Sequence, residues 1–269
     1  MRWARALDAP VPTPGLDSGY EIRESGRRAR IGSFMRYTAR LLTVFGIPVR
    51  VHATFPLALV AFGVEGYLRA GWGEMLASVA LVSIVFVCVV LHELGHSLRA
   101  VRYGVVVRDI VLLPVGGMAR VERVPEIPRQ EIAIALCGPA VNVVIAACIA
   151  IAMWARRHPF DINNDFVSGV LVVNLALVFF NLIPAFPMDG GRILRGLLAL
   201  RMPYLDATRA AKNVGLVIAQ LFALSGFAST MFIMLPLIAV FIFVGAISEE
   251  NMVLARALED NEDDLPTAP

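Results

Sequence analysis

Charge is scarce in this chain. Asp, Glu, Lys and Arg make up 17% of its 269 residues, against about a quarter in an ordinary soluble domain. Hydrophobic residues make up 58%, and the mean hydropathy is +0.70. That balance excludes a soluble globular domain and points to a polytopic membrane protein. Cysteine is sparser still. Cys88, Cys137 and Cys148 all lie within apolar runs without CxxC spacing, which excludes a metal knuckle or a redox pair and leaves them as expected buried packing residues. No internal repeat is present. Residues 1–40 lack an apolar h-region, so no cleavable signal peptide is expected and insertion falls to the internal spans.

What is present is a succession of long apolar runs. A basic, Pro-containing arm with Arg23, Arg27, Arg28 and Arg30 occupies residues 1–40 and reads as disordered; it can lie on anionic lipid or be merely solvated. Residues 41–250 form the expected membrane core and 251–269 an acidic tail. Spans are expected at Val51–Arg69, Met75–Ala100, Ile132–Trp154 and Phe166–Ala185. The last apolar stretch, Val214–Ile247, would be about 50 Å long as one helix. It must turn, with Ser225–Ser229 as the expected site, or bend, and the turn brings the total to about six. Between spans two and three, two β-rich runs, Val105–Leu113 and Met118–Val124, flank Pro114-Val115-Gly116-Gly117 and read as a hairpin. The expected fold is therefore all-α and polytopic, with a short hairpin on the cytoplasmic side.

Cation placement orients these spans. Arg and Lys cluster in residues 1–50, 99–129 and 192–212, while the alternate loops hold only Arg69, Arg156 and Arg157. By the positive-inside rule both termini, the hairpin and the 190–213 loop are cytoplasmic. Spans two and four then end on the same side of the cell membrane.

Span two ends in His92-Glu93-Leu94-Gly95-His96. On a helix, residues four apart share a face, so both imidazoles can reach one metal ion. Glu93 lies about 100° round the helix, where its carboxylate can take a proton from an activated water rather than complete the ligand shell. Gly95 leaves room for another element to approach. A hydrolytic zinc takes three protein ligands, so a third is needed. His52 and His158 fit interfacial or solvated roles better. Span four breaks at Asn181-Leu182-Ile183-Pro184-Ala185-Phe186-Pro187-Met188-Asp189-Gly190-Gly191-Arg192, where two prolines forbid a regular helix. Asp189 is the acid in that break, on the same membrane side as the histidines.

Together these motifs resemble the site-2 protease family of intramembrane zinc metalloproteases. Phe45-Gly46-Ile47-Pro48-Val49-Arg50-Val51-His52, the Gly116-Gly117 hairpin and Gly138-Pro139-Ala140-Val141-Asn142 extend the resemblance to roughly residues 40–250. They look like the small six-span branch that includes sporulation pro-sigma-factor proteases. The resemblance implies one zinc ion held by His92, His96 and Asp189, with Glu93 as the general base. It further implies that Asn181 polarises the scissile carbonyl or caps backbone freed by Pro184, and that Asn142 lines the site or packs between helices. Many members carry a C-terminal CBS domain. Only an acidic stretch of about 20 residues follows the last span here, so nucleotide sensing by such a domain is not expected.

The function expected is cleavage of a membrane-anchored protein substrate near the cytoplasmic face of the bilayer, with no nucleic-acid partner. An unwound substrate strand can pair with the hairpin edge near Gly116 and Gly117. Two other readings use the same residues: a zinc transporter or metal sensor, which leaves Glu93 unexplained, and an inactive scaffold that binds membrane segments.

Overall fold

A computed structural model describes residues 37–114, 116–121, 126–161, 165–227 and 234–263. The chain divides into two units, Met1–Ala39, almost all outside the described residues, and Arg40–Pro269. Residues 1–36 of the basic arm and the end of the acidic tail lie outside the described residues.

Helix dominates. The helices are α1 (Phe55–Ala70), α2 (Trp72–Arg102), α3 (Pro128–Ala155), α4 (Phe166–Asn181), α5 (Asp189–Ala199), α6 (Tyr204–Phe227) and α7 (Met234–Asp263). Among the described residues, α2, α3 and Met234–Leu258 of α7 are long and apolar enough to cross a membrane. Only 11% of the most apolar window of α2 is buried, so its apolar side chains face outward, as they do in lipid and not in a soluble core. Helix α4 is apolar but shorter. Asp165 caps its N-terminus by accepting from the Ser168 amide at 2.7 Å and hydroxyl at 2.6 Å. Those bonds hold the Asp165 carboxyl below the usual carboxylate range.

The sheet is larger than the sequence suggests. Four strands, β1 (Thr38–Val44), β2 (Ile47–His52), β3 (Val107–Leu113) and β4 (Gly116–Val121), lie in that order. Strands β2 and β3 are parallel, with Val49 opposite Ile110; β3 and β4 are antiparallel, with Ile110 opposite Ala119. The all-α expectation is corrected accordingly. Val51 and His52 end a strand, and the first helix starts at Phe55 with Pro56 in its first turn. The first two strands escaped notice because an apolar run does not distinguish a buried strand from the start of a span. Phe45 and Gly46, both at positive φ (50° and 83°), supply the β1–β2 turn.

Two further expectations change. Gly116 and Gly117 are not the turn of the hairpin but its second strand, opposite Leu113 and Leu112. Strand β3 is covered on both sides, so β4 carries the open edge; Glu122, Arg123 and Val124 lie outside the described residues. The Val214–Ile247 stretch forms two helices. Ser225, Gly226 and Phe227 still belong to α6, and α7 begins at Met234; residues 228–233 lie outside the described residues. Of the three cysteines, only Cys88 is buried, and Cys148 is exposed. An apolar run does not say which of its faces meets lipid.

Two sets of contacts fix what the site needs. The sheet packs on α2 through Val49, Phe86, Val89 and Leu112, and through Ile47, Leu94 and Ile110. The irregular segment after α4 is buried in protein: Ala185, Phe186 and Met188 pack against Ala211, Ala219, Ala239, Ile242 and Ala246 of α6 and α7. Broken backbone at membrane depth is tolerated in such a setting.

Candidate metal centre

Helix α2 carries His92 and His96 one turn apart, and the first residue of α5 is Asp189; all three are buried. Asp189 Oδ2 lies 3.2 Å from His92 Nε2 and 3.2 Å from His96 Nε2, and the two Nε2 atoms are 3.1 Å apart. Among the described residues this is the cluster of His, Cys, Asp or Glu side chains with metal-ligand spacing.

The proton inventory shows what such a triangle fits. His96 Nδ1 is 2.8 Å from the Ile134 carbonyl, which only accepts, so in the neutral ring that a metal requires Nδ1 carries the proton and Nε2 a lone pair. His92 Nδ1 is 2.7 Å from Asn142 Oδ1, an acceptor in the same way. Three lone-pair atoms therefore face one another, and Asp189 Oδ2 is buried without a hydrogen-bond donor. A cation relieves that conflict. Zinc bonded at about 2.0–2.1 Å in a tetrahedron separates its ligands by about 3.4 Å. The observed edges are close to that.

The space is kept by α3. A Cβ on Gly138 would stand 2.1 Å from His96 Nε2 and 2.8 Å from His92 Nε2, crowding both metal-facing nitrogens. Pro139 beside it has no N–H for the Ala135 carbonyl, loosening the turn from which Ile134 accepts. Gly95 lets α3 close in, since a Cβ there would meet the Cys137 carbonyl at 2.6 Å.

Glu93 faces the sheet. Its Oε2 accepts from the Ala119 amide of β4 at 3.2 Å, and a Cβ on Gly117 would lie 2.8 Å from Glu93 Cγ. A cavity of about 80 Å³ opens beside it, lined by His96, Ser97, Ala119, Ile134 and Arg192 among others. That is room for about two waters.

The remaining expected residues sit elsewhere. Asn142 is completely buried and its amide is engaged by His92 and, at 3.0 Å, by Asn174, so it does not present itself to a substrate. Asn181 donates to the Leu177 carbonyl one turn back at 2.9 Å. His52 Nδ1 is 2.8 Å from Thr54 Oγ1, and His158 Nε2 is 3.6 Å from Asp165; neither joins the cluster.

Comparison with known proteins agrees with the geometry. The sequence matches peptidase family M50 over residues 80–158 and 161–222, which hold His92, Glu93, His96 and Asp189. The chain belongs to peptidase family M50. It is 39% identical over 233 residues to a zinc metalloprotease of Methanocaldococcus jannaschii, covering 84% of this chain and 65% of that protein. It is 31% identical over 138 residues to stage IV sporulation protein FB of Bacillus subtilis, covering 51% of this chain and 45% of that protein. The chain thus spans less than two thirds of either relative. Its fold is similar to the solved site-2 protease from Methanocaldococcus jannaschii, with a TM-score of 0.58 at 38% identity, covering 80% of this chain and 95% of that one.

Two contributors were not read from the sequence. Asn174 and Gly138 touch the ligands or their partners from α4 and α3, far away in the chain. Gly138 stands in a quoted motif, but nothing in its spacing to His96 signals contact.

Proposed function

We propose that this M50 member is an intramembrane zinc endopeptidase that cuts a membrane-anchored protein within or beside the bilayer near its cytoplasmic face. The observation that carries the reading is the triangle of lone-pair atoms from His92, His96 and Asp189, with Glu93 beside it. Bound there, zinc supplies Lewis acidity, polarising a peptide carbonyl and making water a stronger acid. Glu93 takes the proton from water and returns it to the leaving amine. The Ala119 amide steadies one carboxylate oxygen for that transfer. The open edge of β4 receives the substrate as an unwound strand, replacing hydrogen bonds lost from its helix. Gly117 lets that edge approach Glu93 closely.

The broader arrangement is part of the proposal. Helices α1, α2, α3, α4, α6 and α7 make six crossings, with both termini cytoplasmic and residues 41–250 as the protease core. Asn181 ends α4 just before the break that leads to Asp189, with its side chain bonded one turn back to the Leu177 carbonyl. A transport role leaves unused the Ala119 contact that holds Glu93 against a strand edge.

The test is Glu93→Gln. Assayed in detergent with a transmembrane peptide from a membrane-anchored protein, the variant should keep one zinc per chain and lose at least a hundredfold in cleavage. Zinc transport into vesicles that Glu93→Gln leaves unchanged, without cleavage by wild type, would sink the hydrolytic reading.

A further inference from the structure

Asn174, in the middle of α4, is almost wholly buried and touches neither the ligand triangle nor the cavity beside Glu93. It is nevertheless joined to the triangle by a line of hydrogen bonds through three helices. Asn174 Nδ2 donates to the Val170 carbonyl at 2.9 Å, with Cys88 Sγ at 3.4 Å as a second, weak acceptor on α2. Asn142 Nδ2 donates to Asn174 Oδ1 at 3.0 Å, and Asn142 Oδ1 faces His92 Nδ1 at 2.7 Å.

The direction of this line is set at its far end. A backbone carbonyl has no proton to give, so Asn174 must turn its NH2 toward Val170 and its oxygen toward Asn142. Asn142 must then offer NH2 to Asn174 and oxygen to His92. His92 is left with its proton on Nδ1 and its lone pair on Nε2, aimed at Asp189 and His96. Were Asn142 free to flip, its NH2 would face Nδ1, and the lone pair would point away from the metal position.

We propose that Asn174 is the positioning residue of the metal centre: it locks the Asn142 amide, and through it the ring and tautomer of His92. The proposal rests on the metal-centre reading above. Outer partners of ligating histidines are worth about 10–100-fold in metal affinity.

Asn174→Asp and Asn174→Leu separate this role from packing. Aspartate keeps an oxygen toward Asn142, and as a neutral acid it also keeps a donor toward Val170; leucine keeps neither. If Asn174 only filled space, the buried acid would be the more damaging change. Zinc release to a chelator, measured on purified full-length protein in detergent, should be within threefold of wild type for Asn174→Asp and at least tenfold faster for Asn174→Leu. Equal release by wild type and Asn174→Leu, or faster release by Asn174→Asp, overturns the proposal while leaving the metal centre intact. Wild type that takes up no zinc overturns both. Should the leucine variant not fold, Asn174→Ala is read by the same criterion: zinc release at least tenfold faster than wild type supports the proposal, and release equal to wild type overturns it.

Discussion

The smallest side chain at the centre has the largest steric consequence. Gly138 stands where any Cβ would occupy the space between the two imidazoles, with 2.1 Å to His96 Nε2. Neither ring has room to yield, because each is held at its other nitrogen by Asn142 or Ile134. Gly138→Ala should therefore purify folded but with less than a tenth of the wild-type zinc, as read by metal analysis alongside circular dichroism. Asp189→Ala should lose zinc and cleavage together, because the two histidines alone leave the ion without its only anionic ligand. Asp206, exposed and paired loosely with Arg209 at 3.6 Å, is the appropriate control, and Asp206→Ala should change neither. Asp109 is unsuitable for that purpose. It is buried in the sheet, accepting from Arg120 Nε at 2.6 Å with Arg50 at 4.0 Å, and its loss would disturb the strands beside Glu93.

At the scale of elements, two joints hold the site together. The first is β4 against α2. Gly117→Val would push β4 away from Glu93 Cγ, and Ala119→Pro would remove the donor to Glu93 Oε2. Both should keep zinc, because neither residue touches a ligand, and both should reduce cleavage at least tenfold. Proline within β3 is a different experiment, since that strand is paired on both sides and its amides belong to the sheet. The second joint anchors α5, whose first residue is Asp189. Arg195, buried on α5, meets Glu131 of α3 through Nε at 2.9 Å and Glu249 of α7 at 2.8 Å, and Tyr204 at the start of α6 donates to Glu131 at 3.1 Å. Arg195→Leu strands Glu131 in the interior, which costs about 3–5 kcal/mol when a buried pair loses one partner. The melting temperature and the zinc content should fall together. Arg195→Leu with Glu131→Leu should recover most of the stability, because no unpaired carboxylate remains at that position. A double variant no more stable than the single one would mean that Glu131 is not the stranded group.

For the whole molecule, the decisive property is an outside more apolar than its functional interior. Val87 of α2 is 57% exposed in a helix with a mean hydropathy of 2.6 over its best window, while the polar groups His92, His96, Asn142, Asn174 and Asp189 are all buried. In water that arrangement would aggregate; in lipid it is the stable one. Val87→Arg tests this directly. At the centre of a membrane helix arginine costs about 2.5–3.5 kcal/mol of insertion free energy. Membrane-integrated protein, measured by alkaline extraction, should fall severalfold, whereas an exposed arginine on a soluble protein would change little.

The sequence by itself determined whatever depends on spacing along one element. A spacing of four positions from His92 to His96 put them on one helical face, two prolines ended α4 ahead of Asp189, and uninterrupted apolar runs made the chain a membrane protein. These are consequences of helix period, missing amides and solvent, and no other part of the chain is needed to produce them. Only the tertiary structure decided which distant surfaces meet. It put Asn142 behind His92, brought Gly138 close to both imidazoles, joined the strand at Ile47–His52 to Val107–Leu113, and set Ala119 on Glu93. Such contacts join residues tens of positions apart across packed helices and strands. They are chosen by shape complementarity and by the need to pair every buried polar group, which no local periodicity encodes.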